Sequence, residues 1–403
     1  SSFSEARVSG PRVARWCAGG MVSLAAATVI LPLVMPALAS ELGGSLGLSW
    51  ERRGRLFATL GASFVAALIL SGPMADRSHP RPFVVGGHVL VAVGLGLLAL
   101  SRGFAGALAA CAALGMGAGV LDMVLSPLVA RSAGADAAAA LNRLHAAYSI
   151  GAVAVSAMGS AWWKTEITWR VLPLGLAVVP LAVAARFSIL PLPMLWEATH
   201  GRGRARDVLA HPEFRRWAVV FFGAGAAMAG LSQWLPALAQ REAGWSEAAS
   251  SGALSLFLLG MGVSRFGVGS LLQRRPADQI LACGLGLTVA LMLVARFAGS
   301  AAMSVVTLVA AGLPCGILWP TALGAASARI RGGGALFGWL SAAGNTGCFI
   351  APWLIGVAAD RIGLRDALPI AVLPGAIALW GLVRGWTTAC GRAEEIERID
   401  ETV

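Results

Sequence analysis

The chain has 403 residues, 57% of them hydrophobic and only 13% charged, with a mean hydropathy of +0.74. A soluble globular domain is about a quarter charged, so this composition belongs to the membrane class. The net charge of +11 would point to nucleic acid in a soluble protein, but here the basic residues sit between apolar runs and no basic domain stands apart. Cytoplasmic loops and anionic headgroups account for them, and no nucleic-acid partner is expected.

In chain order, Ser1 to Arg15 carries three arginines and enters a long apolar run with no small-residue cleavage site. It reads as a retained first helix, not a removed signal peptide. Apolar runs of at least about 18 residues then give twelve predicted spans. The first six cover roughly 15–38, 55–75, 82–101, 104–130, 137–162 and 169–193, and the second six roughly 214–238, 248–272, 277–298, 300–328, 334–358 and 366–387. Their richness in Gly, Ala and Ser suits closely packed helices, while the alternating ten-residue segments of an outer-membrane barrel are absent. The polar connection 194–213 divides the spans six and six, and the tail 388–403 is acidic. Placing the connection and both termini on one side collects about 20 of the basic residues there, which predicts cytoplasmic termini.

The halves repeat. Gly72-Pro-Met-Ala-Asp76-Arg77 aligns with Gly269-Ser-Leu-Leu-Gln273-Arg274, and Gly119-Val-Leu-Asp122 aligns with Gly316-Ile-Leu-Trp319. Gly151 to Gly159 aligns with Gly347 to Gly356, all at an offset of roughly 196–197 residues. Two parallel six-helix repeats are a secondary-transporter architecture, with the solute site between them near the bilayer midplane.

Gly72-x-x-x-Asp76-Arg77, with the repeat and the span count, resembles the loop 2–3 signature of the major facilitator superfamily, although Ser78-His-Pro-Arg81 replaces its usual Gly-Arg-Arg ending. Further stretches resemble the fucose and glucose/galactose permease branch. They are Gly119-Val-Leu-Asp122-x-x-x-Ser126-Pro127 in span 4, Leu141-Asn142-Arg-Leu-His145-Ala-Ala-Tyr148 entering span 5, and Ile317-Leu-Trp319-Pro320-Thr321 with Ser264-Arg265-Phe266 in spans 10 and 8. The resemblance implies that Asp122 lies in the solute cavity and that the polar positions of span 5 face a sugar. The branch carries Asn and Asp in span 1, where this chain reads Ala-Ala-Thr28-Val-Ile-Leu31-Pro32. A second cavity carboxylate is missing, and a two-carboxylate proton scheme does not carry over.

Of the 20 acidic residues only Asp122 is deep within an apolar run. An ionised group at that depth is costly, so such residues usually face a cavity, a partner or a proton path. Asp122 has three readings: reversible protonation coupled to solute binding, direct binding of a cationic or hydroxyl-bearing solute, or a packing hydrogen bond to a neighbouring span. His145 and Tyr148 lie about one turn apart on one face of span 5. His145 is a candidate for proton exchange with Asp122 or for a solute contact, against a backbone-satisfied histidine. Asn142, Gln233, Trp234, Trp319, Thr321 and Asn345 complete the candidate solute contacts, since indoles offer an apolar face and amides offer paired donors and acceptors. The glycines flanking Asn345 also read as close packing. Asp76, Arg77, Arg265 and Asp360 are candidate gating residues, with Arg265 pairing to Asp360.

Six cysteines without CxxC or His spacing read as packing residues, so no disulfide or metal site is expected. There is no Gly-x-Ser-x-Gly elbow and no Walker loop, and Lys164 is the only lysine. The expectation is therefore no enzyme, no cofactor and no ATP-driven pump. The sequence predicts an all-α integral membrane protein of a bacterial inner membrane, with halves 1–193 and 214–387. Its partners are a small solute, protons and the bilayer, and it is expected to be a monomer. The expected activity is proton-coupled symport of a small polar, sugar-like solute through Asp122. The alternative is a proton-antiporting exporter of a cationic or amphipathic compound, against which stands the absence of any proline between Pro127 and Pro173.

Overall fold

A computed structural model describes residues 2–43, 47–75, 78–133, 137–192, 205–330 and 333–382. Twelve of its helices are long and apolar enough to cross a bilayer. The first six are Arg12–Leu42, Trp50–Ser71, Arg81–Leu100, Phe104–Val129, Arg143–Trp162 and Val171–Ile189. The second six are Pro212–Arg241, Glu247–Leu272, Ala277–Phe297, Ala301–Ala326, Gly338–Ile362 and Leu364–Leu382. They are called spans 1 to 12. In hydrocarbon every backbone N–H and C=O must be satisfied within its own segment, and the helix does this.

Two spans break where a proline withholds an N–H. Span 6 turns at Ala177, three residues before Pro180, and span 10 turns at Ala311, three residues before Pro314. Span 7 runs longer than predicted at both ends, because Pro212 opens it and the His211 ring accepts from the Glu213 N–H at 3.2 Å. Span 12 begins with a short turn, Leu364–Ala367, and a 3-10 stretch, Leu368–Val372. The connection 194–213 contributes a short helix, Ala205–Ala210. Asp76, Arg77 and the tail 388–403 lie outside the described residues.

The repeat has a packing counterpart. In span 4, Gly115 and Gly119 bring their Cα atoms against the backbone carbonyls of Leu60 and Phe64 in span 2. In span 10, Gly312 and Gly316 do the same against Phe257 and Met261 in span 8, and each of these four positions lies 197 residues beyond its counterpart. A Cβ at any of them would meet a carbonyl oxygen that cannot step aside, so glycine is required by the approach of the two helix axes.

The first six and last six spans meet along a seam at one face of the bundle. There the Asp360 carboxylate, near the end of span 11, accepts from the backbone N–H groups of Trp50 and Glu51 at 2.7 and 2.9 Å. It caps the positive N-terminus of span 2 across the seam. The fully buried Trp234 of span 7 packs edge-on against Trp50 and Phe57, with centroids 5.7 and 5.3 Å away, and donates its N–H to the Pro352 carbonyl at 3.0 Å. Phe64 meets Phe349 at 5.8 Å. Spans 5 and 8 close the other side, where the Ser160 hydroxyl donates to the Ala248 carbonyl at 2.7 Å and the Ser255 hydroxyl to Ser156 at 2.9 Å.

Among the described residues these interactions run from that face to the middle of the bundle and no further. The buried core shows the same division. At the closed face the apolar residues of both groups of spans form one cluster, whereas at the opposite face Trp217, Phe221, Leu281, Leu318 and Leu336 of the last six spans cluster by themselves. The molecule is therefore closed at one face and parted at the other.

Asp360→Ala removes the shared cap. Losing an N-terminal cap costs about 0.5–2 kcal/mol, which is roughly a two- to thirtyfold shift away from the closed seam. Faster labelling of a cysteine placed at Trp50 by a membrane-impermeant maleimide is the expected outcome. Unchanged labelling would leave Asp360 without a part in closure.

Candidate functional site

The middle of span 4 is fixed by glycines on two sides. Gly115 and Gly119 seat it on span 2, and Gly117 seats it on span 3, where a Cβ would meet the Gly87 carbonyl oxygen at 2.7 Å. Asp122 is thereby carried toward the junction of the two groups of spans. Its side chain is half-buried and hydrogen-bonds no described residue. Its electrostatic neighbours are Tyr148 of span 5 and Cys348 of span 11, one from each group.

Tyr148 is held by span 1. Its hydroxyl lies 3.1 Å from the Thr28 hydroxyl, which is itself 3.1 and 3.2 Å from the Leu24 and Ala25 carbonyls. With Thr28 donating to its own helix, its oxygen accepts from Tyr148, and the phenol oxygen keeps its lone pairs for a further donor. Thr28 occupies the register where the resembling branch carries polar residues, which is the signal that marks it. His145 is exposed and neighbours Arg265, and it makes no side-chain hydrogen bond to a described residue.

Arg265 of span 8 completes the group. Its Nε donates to the Gly316 carbonyl at 3.2 Å and its Nη1 to the Ser149 hydroxyl of span 5 at 2.9 Å, so it bridges the two groups of spans. The expected pairing with Asp360 does not occur. Span 11 ends at the closed face, whereas span 8 begins there and carries Arg265 most of the way to the opposite one. No carboxylate forms an ion pair with Arg265 among the described residues. A basic residue inside an apolar run was the available signal.

The remaining candidates are dispersed. Trp319 is half-buried, edge-on to Phe221 at 5.2 Å and pressed against Gly344. Thr321 is buried with its hydroxyl unpartnered. Asn345 donates to the Ser341 carbonyl of its own helix at 2.9 Å, and the adjacent Gly344 and Gly347 pack against the backbone of span 7. Gln233 is half-buried. Trp234 belongs to the closed seam, with its indole N–H already used. Asn142 is helical, and its side chain lies outside the described residues. Of the predicted site residues, Asp122, His145, Tyr148 and Arg265 come together, joined by Thr28, Ser149 and Cys348.

The sequence model of the Major Facilitator Superfamily matches residues 16–352. The chain belongs to this superfamily. Solved structures of superfamily transporters share its architecture at low identity. A fucose:proton symporter of Escherichia coli is 16% identical with a TM-score of 0.66, covering 93% of this chain and 98% of its own. A bacterial homologue of the human lysosomal transporter Spinster, in an inward-facing and unoccupied conformation, is 15% identical with a TM-score of 0.71, covering 92% and 96%. No curated protein matches the sequence. As a superfamily member with twelve spans the protein is a membrane transporter, and the central group of residues lies between its two groups of spans.

Proposed function

We propose that this transporter is a proton-coupled symporter of a small polar solute, with Asp122 as the group that takes up and releases the proton. One observation carries the reading. The only carboxylate deep within a span is half-buried, hydrogen-bonded to no described residue, and set where both groups of spans face it. Solute bound beside a carboxylic acid changes the relative free energies of its charged and neutral forms, so occupancy and protonation become linked. Tyr148 and His145 from span 5, with Trp319 and Asn345 from the last six spans, are the proposed solute contacts. That a fucose:proton symporter has this fold supports a sugar-like solute as the first to try.

Residues 1–193 and 214–387 act as two bodies that rock about the seam, a view supported by the glycine approaches recurring at a fixed offset. The excess of basic residues near the termini and the central connection supports cytoplasmic termini. The closed face is then the outer one, and the protein stands open to the cytoplasm. A bacterial inner membrane and a monomeric protein complete the proposal.

The test is lumenal pH in proteoliposomes during a panel of external neutral, acidic and basic solutes. Acidification triggered by a solute is the expected result. Alkalinisation of an acid-loaded lumen by external cations would replace symport with antiport, and solute entry with no pH change would remove proton coupling.

A further inference from the structure

Arg265 is placed against the usual economy of arginine in a membrane. It lies seven residues from the end of span 8, about 10 Å of helix, near enough for a long side chain to reach the headgroups at the near face. Helical side chains lean toward the helix N-terminus, which for span 8 is the closed face. Arg265 follows that lean and reaches the middle of span 5 at Ser149. Two of its five N–H groups are used, by Gly316 and Ser149, and the other three have no described acceptor. The side chain is half-buried, its charged and titratable neighbours are His145 and Tyr148, and Tyr148 also neighbours Asp122. A guanidinium held this deep with no described carboxylate paired to it leaves a planar, two-pronged donor set facing the proposed site.

Resting on the proposed site around Asp122, we infer that the transported solute bears a monoanionic group, a carboxylate or a singly ionised phosphate, which Arg265 binds. Charge balance supports this, with His145 and Tyr148 counted neutral. The empty site holds ionised Asp122 and Arg265 and sums to zero. The site loaded with one proton and one monoanion also sums to zero. With the proton alone it is +1, and with the anion alone it is −1. Closing a low-dielectric site over a net charge is costly, so only the empty and doubly loaded forms rock readily. An anion thus makes the coupling obligatory and electroneutral, whereas a neutral solute with the proton would leave +1 in the closed site.

The experiment uses the full-length protein and matched probes: galactose with galacturonate, glucose with gluconate, and glycerol with glycerate and glycerol phosphate. Thermal stabilisation in detergent and uptake into proteoliposomes are read for each. At least one acid is expected to bind and enter at a rate unchanged by a potassium diffusion potential, while its neutral partner does neither. Arg265→Gln should weaken acid binding about ten- to hundredfold, the usual worth of a charge-assisted hydrogen bond, with Arg265→Lys falling between. If Arg265→Gln does not fold, the comparison of acid with neutral partner and the Arg265→Lys variant still decide. Equal binding of neutral partners, no binding by any acid, or undiminished acid affinity in Arg265→Gln overturns the anion site. Lumenal acidification driven by a neutral sugar would also overturn it while leaving proton symport standing. Entry of an acid through Arg265 with no proton movement would uphold the anion site and remove the symport reading.

Discussion

Gly61→Leu is expected to abolish net transport while leaving a folded protein in the membrane. Gly61 lies in span 2 at the seam, and a Cβ there would fall inside the Phe349 ring of span 11. The ring has nowhere to go. It is buried, and the neighbouring approaches are equally close, since a Cβ at Gly54 would meet the Trp353 carbonyl at 3.0 Å and one at Gly356 the Trp50 carbonyl at 2.5 Å. Trp234 is locked behind it by the Pro352 carbonyl. Overpacking of this kind costs about 1–3 kcal/mol, which is roughly a five- to 150-fold loss of the closed seam.

In the state that opens at this face the two spans part, and leucine there meets no ring. The protein is thus expected to accumulate open at the outer face. A cysteine placed at Phe57, in a Cys283→Ser background, should react quickly with an impermeant maleimide, and slowly when Gly61 is intact. Normal transport and slow labelling in Gly61→Leu would mean that this seam is not the closing surface.

The twelve spans were legible because each must be apolar over its full crossing, which leaves a run that no soluble loop imitates. The repeat was legible because glycine is the one residue that permits contact at Gly119 and Gly316. Asp122 was legible for the opposite reason, as a polar residue where polarity is costly. What the sequence concealed was rotation and tilt. Trp234 was grouped with Gln233 as a solute contact, yet one residue is a 100° turn of the helix, and a helix apolar all round does not announce which face is the seam. Counting residues puts Arg265 toward the near end of span 8, because the count ignores the lean of the side chain. Its expected partner Asp360 belongs to a span of opposite direction, and the two residues stand far apart along the membrane normal. Thr28 was visible only as the residue that had replaced something more polar.

Asp122→Asn is expected to lower solute accumulation in proteoliposomes from about tenfold to about onefold at an inward gradient of one pH unit. One pH unit is about 1.36 kcal/mol, the same free energy as a tenfold concentration ratio, so a symporter moving one proton per solute reaches that ratio at equilibrium. Asparagine keeps the size and the hydrogen-bonding capacity of the protonated acid but cannot release a proton, so the gradient is disconnected from the solute. Exchange across the membrane needs only the loaded form, and that form is preserved. Net uptake needs the empty form to return, and without the Asp122 charge the empty site carries uncompensated Arg265. Counterflow of labelled solute should therefore persist while net uptake slows. The two readouts separate a lost proton from a lost fold, because a misfolded variant would lose both. Tenfold accumulation in Asp122→Asn would remove Asp122 from coupling, whatever solute the site proves to carry.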